Sequence, residues 1–269
     1  MAWSNITVTR AGSAQCGSAA WFEGQGNLSV NGLSISSENQ GTGSGCLANG
    51  AFGFELIQSA NGTISNVTVD ASGAYGRPFK TTAARWNTFN SLTVKNGVAA
   101  YNGVSLEYYS SRNTYNSCVV TNNGAGAGTA NGNAGINTFG NFNQYNSFVN
   151  CTVTGNGNVQ FLVNNYDALR LGMDIGNTIN GGTYTGTNTA EPAIAIYGSN
   201  AYVTSAYIYG PGADGLYLGS TNGCVNNNVF GAGTNLGAGI YSSSSSNVGA
   251  NDIMNGNSSN LTAGTCTGH

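Results

Sequence analysis

The side chains able to do chemistry in this chain are few, and six of them, Glu55, Lys80, Glu107, Asp167, Arg170 and Asp174, are expected near one sheet. Only 6% of residues are Asp, Glu, Lys or Arg, against roughly 25% in an ordinary domain. Within that sparse set, Glu55, Glu107 and Asp167 supply carboxylates, and Lys80 and Arg170 supply cations. Two facing carboxylates suit glycoside hydrolysis, which needs them about 5–5.5 Å apart for retention or about 6.5–9.5 Å for inversion. A cation beside a base suits proton abstraction next to a sugar carboxylate. These four residues, Glu55, Glu107, Asp167 and Arg170, are the catalytic candidates. Lys80, Asn137, Asp174, Tyr197 and Tyr217 are the candidate substrate contacts.

What positions them is a repeat. "RWNTFNSLTV" at 85–94 returns as "RNTYNSCVV" at 112–120 and "QYNSFVNCTV" at 144–153. An apolar anchor followed by a second apolar residue five positions on recurs along the chain: Val30/Ile35, Ile64/Val69, Phe89/Val94, Tyr115/Val120, Phe148/Val153, Ile179/Tyr184, Val203/Ile208, Val225/Phe230 and Val248/Ile253. Before each anchor stands an apolar–x–apolar phrase, among them "FEL" 54–56, "VSL" 104–106, "LRL" 169–171, "IAI" 194–196 and "LYL" 216–218. Alternation with period two predicts short strands, one face in and one face out. One unit cannot bury its own apolar face, so the units must stack, and their strands then pair in parallel about 4.8 Å apart.

The outward residues of those phrases form an expected column: Glu55, Lys80, Ser105, Asn137, Arg170, Ala195, Tyr217 and Tyr241. Glu107, Phe139 and Tyr197 fall in the next outward column. Glu55 and Glu107 stand two coils apart, near 9–10 Å if their columns align. The plainer expectation is a surface ion pair between Glu55 and Lys80, worth under about 1 kcal/mol. Tyr101, Tyr108, Tyr109, Tyr166, Tyr197 and Tyr217 are candidate platforms for sugar rings, since aromatic faces supply apolar area. Asn after the anchor, as at Asn31, Asn66, Asn90, Asn116, Asn150, Asn180, Asn226 and Asn227, is expected to build corners and stacked amide rows, so the repeated phrase reads as frame.

Composition excludes several functions. Net charge is −3 with seven basic residues, and no basic stripe exists to neutralise phosphates, so nucleic acid is not an expected partner. No run of about 18 apolar residues is present to cross a membrane. The start lacks the apolar core of a signal peptide. Six cysteines without a C-x-x-C pair favour a secreted or cell-surface domain held by disulfides, with Cys118 and Cys151 stacked as thiols or as a bridge, and Cys224 with Cys266 tying down the tail. Seven N-x-S/T sequons fit secretion too.

This organisation over 27–255 resembles the right-handed parallel β-helix repeat proteins, the superfamily of pectate lyases, polysaccharide epimerases and phage tailspikes. The resemblance implies an all-β, single-stranded solenoid of about nine coils, with 1–26 as an N-terminal cap or extension and 256–269 as a tail. It implies an extended polysaccharide bound along a parallel sheet. Lyases of this kind use Arg or Lys with calcium held by acidic side chains, which points to Arg170 with Asp167 and Asp174, and to Lys80. The epimerase Asp-Pro-His is absent, and the one histidine is His269. Hydrolase, lyase and a non-catalytic carbohydrate-binding or tailspike-like module all remain open at this stage.

Overall fold

A computed structural model describes residues 1–9, 17–36, 52–72, 78–97, 102–124, 134–163, 174–188, 190–210, 214–219, 221–231 and 238–266. Every secondary-structure element among them is a strand. The strands form a nine-stranded sheet and a seventeen-stranded sheet, and all their pairings are parallel, between one repeat and the next.

The predicted anchors carry this register. Val30 pairs with Ile64, Ile64 with Phe89, Phe89 with Tyr115, Tyr115 with Phe148, Phe148 with Ile179, Ile179 with Val203 and Val203 with Val225. The second anchors run alongside, from Ile35 and Val69 through Val94, Val120 and Val153 to Tyr184, Ile208 and Phe230. All of these are buried. Rings stack up the inside: Phe54 on Phe79 at 4.8 Å, Phe89 on Tyr115 at 4.6 Å and Tyr115 on Phe148 at 4.8 Å between centroids. A fully buried aromatic or aliphatic side chain is worth about 1.5–3 kcal/mol against exposure, so the column of anchors is the main source of cohesion.

Two expectations shift at the ends. Val225 pairs with Gly249, not Val248, and Ile253 is exposed, so the ninth anchor pair is displaced by one residue. At the other end, Ala2–Thr9 pairs in parallel with Ser29–Ser36 and Ala20–Glu23 with Phe54–Ile57, so the stacking continues into the N-terminal extension.

Asparagine does two jobs here. The bend between the paired anchors places Asn5, Gly32, Asn66, Ser91, Ser117, Asn150, Gly181, Ser205, Asn227 and Asn251 at positive φ, a region Asn and Gly enter at low cost. The stronger row lies elsewhere, at the first Asn of each repeated phrase. The backbone N–H and Nδ2 of Asn87 both donate to Asn113 Oδ1, those of Asn113 to Asn146 Oδ1, and those of Asn146 to Asn177 Oδ1, all at 3.0–3.1 Å and all buried. A second row runs from Asn123 through Asn156 to Gln160. Each amide satisfies the backbone of a neighbouring coil where a turn leaves it unpaired. Disulfides join Cys118 to Cys151 and Cys224 to Cys266.

Candidate functional site

On the outer face of the nine-stranded sheet the register reads Trp21, Glu55, Lys80, Ser105, Asn137, Leu162, Ala195, Tyr217, Tyr241. Leu162 therefore occupies the place expected for Arg170. The strand at this level is Phe161–Val163. As sequence, "FLV" 161–163 and "LRL" 169–171 are both apolar–x–apolar phrases, and periodicity alone does not choose between them. Asp167 and Arg170 lie outside the described residues, as do Tyr101, Tyr166, Cys16, Cys46 and His269.

Glu55 and Lys80 do pair, at 2.6 Å, but not at the surface. Glu55 is 3% exposed. Its second oxygen accepts a hydrogen bond from the Ser18 hydroxyl, which in turn accepts the Phe52 N–H at 3.0 Å. The Lys80 ammonium also lies 4.7 Å over the Phe52 ring. Both carboxylate oxygens are thus taken up inside the protein. With both oxygens engaged, the carboxylate is not presented to a substrate on this face.

Glu107 stands in a different column. It pairs with Thr82 and Phe139, level with Ile57, whereas Glu55 is level with Ser105. Two coils axially and two residues laterally separate their Cα atoms by about 12 Å. The two columns do not align, so the 9–10 Å separation expected for aligned columns does not hold for these Cα atoms.

Asp174 closes a buried row. Its Oδ1 accepts the Asn143 N–H at 2.8 Å and its Oδ2 accepts the Thr138 hydroxyl at 2.9 Å, while Asn143 Oδ1 accepts the Ser110 N–H at 3.1 Å. Burial pushes its carboxyl up to about 7, against those hydrogen bonds. With both oxygens committed to the frame, Asp174 does not fit the calcium-ligand role. Among the described residues no three His, Cys, Asp or Glu side chains converge on one point. Asn137 is fully buried in the outer column, and neither its amide oxygen nor its amide nitrogen has a hydrogen-bond partner among the described residues.

The tyrosines fare differently. Tyr197 and Tyr217 are half-buried, Tyr241 is exposed, and they form a row. Centroids are 5.4 Å apart for Tyr197 and Tyr217, and 5.5 Å for Tyr217 and Tyr241, whose rings are parallel within 7°. Parallel rings in contact at that separation are offset, which leaves part of each face open. Leu162 and Ala195 form the apolar floor on which Tyr197 and Tyr217 pack. A Cβ at Gly219 would come within 2.6 Å of the Tyr197 ring and 2.7 Å of the Tyr217 ring, so glycine is required under the row. Glu191 stands beside it. Burial first, then the neighbouring Tyr217 and the Glu191 carboxylate, hold the Tyr197 phenol above its ordinary value. Partial burial raises Glu191 as well. Sequence reading missed Glu191, which sits in a connection before its strand with no periodic signal.

A second cluster lies at the corner where each coil turns from the nine-stranded sheet into the seventeen-stranded one. Trp86, Tyr108, Tyr109, Arg112, Phe142 and Tyr145 are exposed there on three consecutive coils. Tyr109 stacks on Phe142 at 5.3 Å, and the Arg112 guanidinium lies 5.0 Å over the Tyr145 ring. All six have positive φ except that Tyr108, at 31°, is at the margin of the left-handed region. The column of Trp86, Arg112 and Tyr145 continues as Asn61 and Asn27 on one side and Gly176 and Asn200 on the other, shown by N–H···O=C bonds from each to the coil that follows. Sequence did carry a signal here: in "RWNTF", "SRNTY" and "QYNSF" the residues from the Asn onward keep their type, while the two before it vary.

No protein-family model and no curated protein matches the chain. Among solved structures it is similar to PfbA, a surface adhesin of Streptococcus pneumoniae, with 11% identity over 91% of this chain and 76% of that one and a TM-score of 0.40.

Proposed function

We propose that the protein is a right-handed parallel β-helix of about nine coils, secreted or displayed at a cell surface, that recognises an extended neutral polysaccharide without turning it over. The observation that carries this reading is the row of Tyr197, Tyr217 and Tyr241, the first two packed against Leu162 and Ala195. One ring per coil repeats along the stack, which suits a ligand that itself repeats. Offset ring faces supply apolar area for sugar rings, and Glu191 supplies a hydrogen-bond acceptor for hydroxyls at one side.

Binding is favoured over catalysis by what has happened to the acids. Glu55 is held by Lys80 and Ser18, and Asp174 is held by Asn143 and Thr138. Hydrolysis or elimination would have to run through Glu107, Asp167 and Arg170 instead. The test is affinity electrophoresis on a panel of neutral and uronate polysaccharides, with reducing ends and the ultraviolet absorbance of unsaturated uronates read in the same incubations, with and without calcium. Retardation by a neutral glycan without either product supports the reading. Product formation that is lost in Glu107→Gln would replace it with an enzyme.

A further inference from the structure

We infer that the aromatic corner formed by Trp86, Tyr109, Arg112, Phe142 and Tyr145 is a second, independent binding surface, and that its partner is an acidic segment of another protein. Three observations carry this. The first is clustered exposure: Trp86 is 52% exposed and Tyr145 49%, with Tyr109 and Phe142 exposed beside them. Trp, Tyr and Arg together are the side chains that dominate the energetics of protein–protein contacts.

The second is backbone conformation. In the column through Trp86, Arg112 and Tyr145 the same left-handed position is filled on other coils by Asn27, Asn61, Gly176 and Asn200, the residues that adopt it at least cost. Frame-building alone would place Asn or Gly on these three coils too. Large side chains in a disfavoured conformation, clustered and facing solvent, mark a site that something other than folding maintains.

The third is charge. Residues 79–87, 104–113 and 136–146 carry Lys80, Arg85, Glu107 and Arg112 and no other charged side chain. Lys80 is bound to Glu55, which leaves Arg85 and Arg112 against Glu107. Arg112 has no acidic partner among the described residues; its guanidinium rests on Tyr145. A locally basic patch on a chain of net charge −3 calls for a negative ligand, and a guanidinium on an aromatic face is arranged to meet a carboxylate. An exposed cluster of Trp, Tyr, Phe and Arg has the composition that is enriched in contacts between proteins, so the negative ligand is assigned to a polypeptide.

The test is a random dodecapeptide phage library panned on the wild-type protein and counter-selected on a Trp86→Asn, Arg112→Asn, Tyr145→Asn variant, with an array of acidic oligosaccharides run in parallel. Asn is tolerated at these positions in neighbouring coils, so the variant is expected to unfold at the same or a higher temperature than wild type. Enriched peptides should carry Asp or Glu beside apolar residues, bind wild type at least about tenfold more tightly than the variant, and weaken with added salt as exposed charge pairs do. Arg112→Glu should abolish that binding, and peptides with Lys in place of the acid should recover it. Enrichment of only neutral or basic peptides, peptides that bind the variant equally, no enrichment at all, or acidic oligosaccharides bound at this corner in place of peptides would each overturn the inference.

Discussion

Lys80 and Glu55 meet at 2.6 Å on adjacent coils, and both are largely buried. Their relationship decides how the outer sheet is read, because it turns the most obvious catalytic carboxylate into a structural one. Breaking such a pair leaves a lone buried charge, a cost of about 3–5 kcal/mol. Lys80→Met is therefore expected to lower the free energy of unfolding by that amount in urea titrations. The double variant Lys80→Met, Glu55→Leu should recover most of the loss, because two apolar residues of similar volume leave no uncompensated charge.

Asn113 is the centre of the buried amide row, giving two bonds to Asn146 Oδ1 and one to the Ala84 carbonyl and receiving two from Asn87. Asn113→Ala strands the Asn87 N–H in the interior, at about 1–3 kcal/mol for each group left unpaired. Asn116→Ala removes one part-buried bond to Asn90 Oδ1 and is expected to cost no more than about 1 kcal/mol. Equal costs for the two would contradict the assignment of the ladder to the first Asn of the phrase.

Stability should also depend on pH through Asp174. Its carboxyl is raised from 3.8 to about 7 by burial, so between those values the folded protein holds a proton that the unfolded chain has lost. Stability from this group is then fully present below about pH 4, falls as pH rises, and levels off above about pH 7. Asp252, raised by burial against its hydrogen bonds from Asn228, adds a slope of the same sign. Urea midpoints measured across this range should fall with rising pH, and Asp174→Asn should flatten the slope.

The inside of this molecule was legible because burial writes period two into the chain: Phe89, Tyr115 and Phe148 could be placed in one column from spacing alone. The outside was less so. Which residues face each other across coils depends on the length of each connection, and those lengths vary, from the short turn before Asn87 to the longer one before Asn146. Hence spacing puts Arg170 where Leu162 stands, whereas Glu107 and Phe139 do share the second outward column expected of them. The ninth anchor slipped because Gly249 fills an interior position with no apolar side chain to announce it. Trp86 and Tyr145 were passed over because a turn before an Asn row reads as frame, and only the left-handed backbone and the exposure reveal that these side chains are costly there.

The tyrosine row offers the most direct test of the central claim, which is recognition of a glycan on the outer face. The measurement is the dissociation constant, by isothermal titration, of the best neutral oligosaccharide from the panel for wild type, Tyr217→Ala and Lys80→Met. Loss of a stacking ring at the centre of the row predicts an affinity at least about tenfold weaker for Tyr217→Ala, as expected when about 1.4 kcal/mol is removed, with Lys80→Met, once shown to be folded, unchanged. Equal binding by wild type and Tyr217→Ala, or a loss in Lys80→Met alone, would contradict the account and return the ligand to the polar end of the sheet.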